Sequence, residues 1–242
     1  MQEISIVAEP IFHIGSFPVT NSLLTVWAVV ILLCLTAILI SRRIKYVPGK
    51  AQNVAEIVID SLLDFMANIA GGRKEAEKFF PVVATIFLLV LASNWFGILP
   101  GLSAIGIHEG DKFIPLFRSV NSDINMTLAL ALLTVVMSHL YGLYTVGIKH
   151  HLGKFFNFHG PINFFTGILE IIGEISKIIS LSFRLFGNVF AGEVLLIIIG
   201  FLVPYIAPIP FLGLEIFVGF IQAIIFATIA MLAFSTFTKL EH

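Results

Sequence analysis

Between Phe164 and Ile199 the chain runs for 36 mostly apolar residues, interrupted by Glu170, Glu174, Lys177, Arg184 and Glu193. Coiled as an α-helix, such a run is about 54 Å long, whereas the hydrocarbon core of a bilayer is about 30 Å thick. A straight helix held inside that core tilts by roughly 55° from the membrane normal, against an average of about 20°. The run therefore either breaks, at Gly173 or Gly187, or lies steeply oblique. Arg184 sits deep within it, too far from either end to snorkel to an interface. A charge at that depth costs roughly 2.5–3.5 kcal/mol on insertion scales, so the arginine needs a reason to be there.

Composition agrees with a membrane class. Hydrophobic residues make up 58% of the 242, charged residues only 12%, and mean hydropathy is +1.01; a soluble domain carries about 25% charged residues. The expected fold is an all-α integral membrane protein, read as one membrane domain over 1–242. Its spans are 23–40, 79–99, 124–148, 164–199 and 211–238. The last two, both long, form a strongly tilted hairpin around the proline-rich turn "VPYIAPIP". Residues 52–70 differ: Val54, Ile57, Val58, Leu62, Phe65, Met66 and Ile69 recur at helical spacing, while Glu56, Asp60 and Asp64 line another face. This is an amphipathic surface helix, and its acidic face favours docking on protein over anionic lipid.

Basic residues orient the spans. Arg42, Arg43, Lys45 and Lys50 follow the first run, and nothing basic precedes it. The positive-inside rule then puts the N-terminus outside and the C-terminus in the cytoplasm. Arg73, Lys74, Lys78, Lys149, Lys154 and Lys239 also fall inside, and only Lys112 and Arg118 outside. Trp27 and Trp95 land near the outer interface. The start of the chain lacks the basic-then-apolar pattern of a cleavable signal peptide. The expected location is a bacterial plasma membrane, with an organellar inner or thylakoid membrane as the alternative.

A helical wheel centred on Arg184 gathers small and polar residues onto one face: Glu170, Glu174, Lys177, Ser180, Gly187, Asn188, Ala191 and Gly192. Small faces let another helix approach closely. Glu193 points the opposite way, so it cannot pair with Arg184 on a straight helix. Folding the last two runs into a hairpin brings Glu193 level with Glu215, Asn188 with Gly219 and Arg184 with Gln222. Two carboxylates that close do not both ionise readily, an arrangement able to accept and release protons. Asn94, Asp123 and Asn125 lie nearer the mouth of such a path. Asp123 and Asn125 are also the residues expected at a helix start.

Other groups read as ordinary. Lys177 is expected to snorkel to the nearer interface, Glu170 and Glu174 to be solvated near the cytoplasmic end, and Cys34 to be a small buried hydrophobe. His139 reads as a polar residue satisfied between helices. His150, His151 and His159 fall in a basic loop without the cysteines or carboxylates of a metal site. No nucleotide-binding or hydrolase motif is present, no cofactor is implied, and a net charge of −1 gives no field for nucleic acid. The rival readings are a self-contained proton- or cation-coupled transporter and a structural scaffold. A transporter of that kind usually carries an internal repeat, which the two halves here lack. A scaffold leaves Arg184 unexplained.

The segments "SLSFRLFGNVFAGE", "FIQAIIFATIAML", "NSDINMTLALAL", "NWFGILP" and "FFNFHGPINFF" resemble the a subunit of the rotary F-type ATP synthase membrane sector, along nearly the whole chain. The resemblance implies a non-catalytic subunit beside a ring of c subunits, tied to the b-subunit stalk and the other subunits of the synthase. It implies two offset half-channels through which protons reach and leave carboxylates on the ring, with oblique long helices against it. By resemblance Arg184 is the essential arginine, and Asn188, Glu193 and Gln222 are channel residues. Glu193, Glu215, Gln222, Asn188, Asn94, Asp123 and Asn125 then line the outer half. Glu170, Glu174 and Ser180 line the inner half. Some members carry His where this chain has Glu215, so the outer relay here is an acidic pair. The ring's carboxylate decides between H⁺ and Na⁺, and this chain leaves both open.

Overall fold

The computed structural model describes residues 8–99, 101–102, 105–109, 112–155, 160–204 and 206–238. Seven helices carry the fold: α1 Asn21–Ser41, α2 Lys50–Ala70, α3 Arg73–Ile98, α4 Ile124–Val146, α5 Ile148–Phe155, α6 Pro161–Leu202 and α7 Pro208–Thr238. Five of them, α1, α3, α4, α6 and α7, are long and apolar enough to cross a membrane. Local signals set their ends. Thr20 caps α1 by accepting from the Leu23 amide at 3.3 Å, and the Asp123 carboxylate caps α4 through the Asn125 amide at 3.0 Å. Gly71, at φ 85°, stops α2 in the left-handed region. Pro161 opens α6 at a position where its missing N–H costs nothing.

The first run of the long pair does not break. α6 continues for 42 residues through Gly173 and Gly187, about 63 Å of helix, twice the thickness of a hydrocarbon core of about 30 Å. α4 flanks only the first half of α6: Thr127, in the first turn of α4, meets Ser182 at 3.0 Å, and His139 further along reaches back to Glu174. α3 begins at Arg73, ahead of its apolar run, because a solvated turn is held by Lys78–Glu75 at 2.8 Å and Arg73–Glu77 at 3.4 Å.

Two short antiparallel hairpins accompany the helices, β1 Pro10–Ile14 with β2 Phe17–Thr20, and β3 Gly106–Glu109 with β4 Lys112–Pro115. They lie outside the expected all-helical pattern and line the approaches to α1 and α4. The core sits where α3, α4 and α7 meet. Phe79, Tyr141 and Phe234 form an aromatic triangle with centroids 5.4–5.7 Å apart. Ala223, Ala227 and Ala230 keep that side of α7 narrow enough for close approach. α2 docks only its C-terminal half, burying Leu62, Leu63, Met66 and Ala70, while Val54, Ile57 and Val58 stay exposed. Its acidic face is met by the same chain: Arg73 reaches Asp64 at 2.8 Å and Asp60 at 3.6 Å. Cys34 is exposed on the wall of α1 rather than buried.

Candidate functional site

The site is built on α6 and α7. Along α6 the sequence wheel divides in two. Gly173, Ser176, Ser180, Arg184, Gly187 and Ala191 follow one another at three- and four-residue spacing and are all exposed. A Cβ added at Gly173 or Gly187 would meet nothing within 4 Å. Arg184 lies in this open strip. Its Nη2 donates to the Ser180 hydroxyl one turn away at 3.2 Å, and no carboxylate pairs with it among the described residues. The other flank, with Glu174, Lys177, Asn188 and Gly192, turns toward α4 and α7.

Toward the α6–α7 turn, Asn188 Nδ2 donates to Gln222 Oε1 at 2.8 Å. The helices thus meet slightly out of the register expected from the hairpin: Gln222 faces Asn188, one turn from Arg184. Gln222 is buried and its Nε2 has no protein partner. Gly192 is buried, and a Cβ there would collide with the Glu215 carboxylate. The missing side chain is therefore what admits Glu215 to the surface of α6. Glu193, on the next residue, lies within electrostatic reach of Glu215, and its Oε2 is buried without a hydrogen bond.

α3 closes this cluster from behind. Asn94 Nδ2 donates to the Gly219 carbonyl at 3.0 Å, and Trp95 Nε1 to the Ile216 carbonyl at 3.1 Å. Gly219 leaves room for that approach, since a Cβ there would stand 3.1 Å from Asn94 Cβ. Asn94 Oδ1 in turn accepts from Asn121 Nδ2 at 2.7 Å. Asn121 was missed in the sequence because it lies in a connection with no periodic signal. Asp123 is committed elsewhere. It accepts from Ser22 at 2.8 Å and from Asn125, so these two residues tie the start of α4 to α1.

At the opposite end of the bundle the sequence expectations change most. Lys177 does not snorkel. Its Nζ binds Glu174 Oε1 at 2.6 Å and lies 5.3 Å above the Phe237 ring. Glu174 is not freely solvated, its side chain being 13% exposed. His150 and His151 belong to helix α5, not to a loop, and His151 is buried; His159 lies outside the described residues. His139 Nδ1 and His151 Nε2 are 3.1 Å apart, and His139 Nε2 is 3.6 Å from Glu174 Oε2. Burial pushes the His151 imidazole below its ordinary range; His139 and Lys154 add to this and Glu174 opposes it. Among the described residues, no three metal-ligating side chains converge.

A polar seam between two long apolar helices, with an arginine on the open side that no carboxylate meets among the described residues, narrows the comparison with known proteins. The family described as the ATP synthase A chain matches residues 23–234. The chain belongs to this family. It is 37% identical over 233 residues to the ATP synthase subunit a of Syntrophobacter fumaroxidans, covering 94% of this chain and 87% of that one. It is 34% identical over 209 residues to that of Geotalea daltonii, covering 85% and 82%, and 30% identical over 236 residues to that of Trichlorobacter lovleyi, covering 96% and 93%. The ATP synthase A chain match contains every residue of the α6–α7 seam, from Glu170 to Gln222.

Proposed function

We propose that this chain is the stator side of the proton path in an F-type ATP synthase, with two offset half-paths that Arg184 keeps apart. As a member of its family it is the proton-translocating membrane subunit of that synthase. The nucleotide chemistry belongs to other subunits. The observation that carries the finer reading is the open strip of α6: a permanent cation among glycine, serine and alanine, with Ser180 as its partner and no carboxylate. A proton path needs a carboxylate at that level, so a neighbouring protein supplies it, and small residues let that neighbour come close. A ring of c subunits, each offering one carboxylate, fits the strip, with a b-subunit stalk holding the stator.

A guanidinium carries its charge at any working pH. Arg184 stabilises the ring carboxylate while that group is ionised, and its charge repels a hydronium trying to pass directly between the half-paths. Glu193, Glu215, Gln222 and Asn188 form the half-path toward the hairpin turn, with Asn94 at its back and Asp123 and Asn125 bracing the mouth. Glu170, Glu174 and Ser180 form the other. Positive-inside orientation puts the hairpin turn outside and the second half-path toward the cytoplasm. Each charge crossing is worth about 2.3 kcal/mol per 100 mV, so several must be pooled by rotation for each ATP. A self-contained transporter would need its own carboxylate facing Arg184, and the described residues provide none.

The test is Arg184→Ala in the reconstituted synthase. ATP-driven proton pumping and proton-driven ATP synthesis should both fall to background while the complex still assembles. Pumping at the wild-type rate would remove the arginine from the path.

A further inference from the structure

The connection from α1 to α2 carries cations that the half-paths do not use. Arg42, Arg43, Lys45 and Lys50 fall within nine residues, and no Asp or Glu occurs between Glu9 and Glu56. Arg43, Lys45 and Lys50 line one groove of about 630 Å³, together with Leu39 and Ile40 from the last turn of α1 and Gln52 from the first turn of α2. Clefts that hold small ligands span about 300–1,000 Å³. Gln52 fixes the shape of this one. Its Oε1 accepts from the Lys45 amide at 3.0 Å, and its Nε2 donates to the Lys45 carbonyl at 3.1 Å. Among the described residues no carboxylate pairs with Arg43, Lys45 or Lys50. The acids of α2 are engaged elsewhere: Glu56 accepts from Gln52 at 2.8 Å, and Asp60 and Asp64 are met by Arg73.

We propose that this groove binds an acidic phospholipid, with the lipid phosphate on Arg43, Lys45 and Lys50 and an acyl chain along α1. Two chemistries meet in it. Three cations without a counter-ion match a phosphate, which both guanidinium and ammonium groups hold by charge-assisted hydrogen bonds. Leu39 and Ile40 match hydrocarbon. A soluble anion would use the cations and gain nothing from the apolar residues, whereas a lipid uses both. The apolar side also continues. Ile31, Leu35, Ile38 and Leu39 recur at helical spacing along α1 and are all exposed, a track leading from the groove toward the middle of the span.

The depth suits a headgroup. α1 has 21 residues, about 31 Å of helix, so its last turn lies at one face of a hydrocarbon core of about 30 Å. The cations put that face on the cytoplasmic side, where basic pockets beside membrane helices take acidic headgroups. Ile44, Tyr46 and Val47 are exposed among the cations, and a tyrosine is at home at headgroup level. Val54, Ile57 and Val58 of α2 are exposed as well, as expected of a helix lying in the same interface. An acidic segment of a partner protein is the competing occupant. Lipid is favoured because the groove opens onto a wall of α1 that the described residues leave uncovered.

The test uses the whole synthase, purified in detergent, with phosphatidylglycerol carrying a photoreactive group in its acyl chain as the probe. Copurification of all subunits checks assembly. Light should attach the probe within residues 31–52. Excess unlabelled phosphatidylglycerol should suppress the attachment, whereas phosphatidylcholine or inorganic phosphate at the same concentration should not. The triple variant Arg43→Gln, Lys45→Gln, Lys50→Gln should lose at least about tenfold of its labelling. Lys45→Arg with Lys50→Arg, which keeps every charge, should label as wild type does. Equal suppression by phosphatidylcholine reduces the contact to ordinary lipid and overturns the site. Suppression by inorganic phosphate makes the occupant a soluble anion and overturns it too. So does unchanged labelling in the assembled glutamine variant. Absence of label from residues 31–52 in wild type means that a partner subunit fills the groove, and the lipid reading fails. None of these outcomes touches the half-path reading, which stands or falls with Arg184→Ala.

Discussion

α6 presents two polar sides that behave differently. On the packed side, Lys177 is paired with Glu174 at 2.6 Å, and Asn188 with Gln222 at 2.8 Å. On the open side, Arg184 has one hydroxyl and a row of small neighbours. The two cations lie seven residues apart on one helix and carry the same charge. What separates them is who completes them. Lys177 is completed within the chain, whereas Arg184 meets only Ser180 among the described residues, and on the half-path reading another molecule completes it. A charge at membrane depth is costly, so on the half-path reading proposed above this arginine marks a surface that the assembled complex completes.

Exchanging the two cations breaks the contrast most sharply. Arg184→Lys should abolish proton translocation, because a lysine in a dry site sheds its proton and lacks the planar fork. Lys177→Arg should keep most activity, since Glu174 still gains a cation. ATP-driven acidification of vesicles distinguishes them, and equal loss in both would erase the difference between the sides. Next comes the width of the open strip. Gly173→Leu with Gly187→Leu should leave the helix folded, as both side chains enter empty space, but should obstruct the neighbour. At least about tenfold weaker retention of the ring, about 1.4 kcal/mol, is expected on copurification. Unchanged retention would place the ring elsewhere.

The smallest effect concerns the packed side and pH. Docked against α4, His151 binds protons less readily than a free imidazole, whose pKa is about 6.5. The undocked state therefore holds more protons in acid. Seating of α5 is unaffected at higher pH and weakens as pH falls below about 6.5. Amide exchange along α5, corrected for intrinsic rates, should rise a few-fold on acidification and stay flat in His151→Phe. A flat wild-type profile would mean that His151 carries no such linkage.

Long-range chemistry was legible in this chain where one helix decides it. The apolar runs marked the five long apolar helices, and the wheel around Arg184 caught Ser180, Gly187 and Ala191 of the open strip but merged it with the flank that faces α4 and α7, because local periodicity gives the runs but not which side a neighbour covers. Where a second element decides, the sequence was silent. Lys177 reads as a snorkelling residue until Glu174 is seen one turn away with Phe237 beneath it. His151 reads as a loop residue until Gly142, nine positions earlier, opens its seat. Hairpin numbering alone puts Gln222 opposite Arg184, whereas the structure pairs it with Asn188. The hairpins at 10–20 and 106–115 were missed because two short strands are marginal alone. Only the turn at Gly15, φ 66°, hints at the first.

The α6–α7 turn has a bearing on how the chain enters a membrane. From Gly192 to Phe217 the only ionisable carboxylates are Glu193 and Glu215, and Val203–Ala207 carries no charge at all. A helical pair inserted turn-first must push that tip through hydrocarbon before anything can surround it. Here the tip brings no cation and only these two acids. Arg184 follows from behind and halts partway, held back by the cost of going further. On the half-path reading, the residue that divides the proton path would then also act during biogenesis as the stop that sets how deep the hairpin travels.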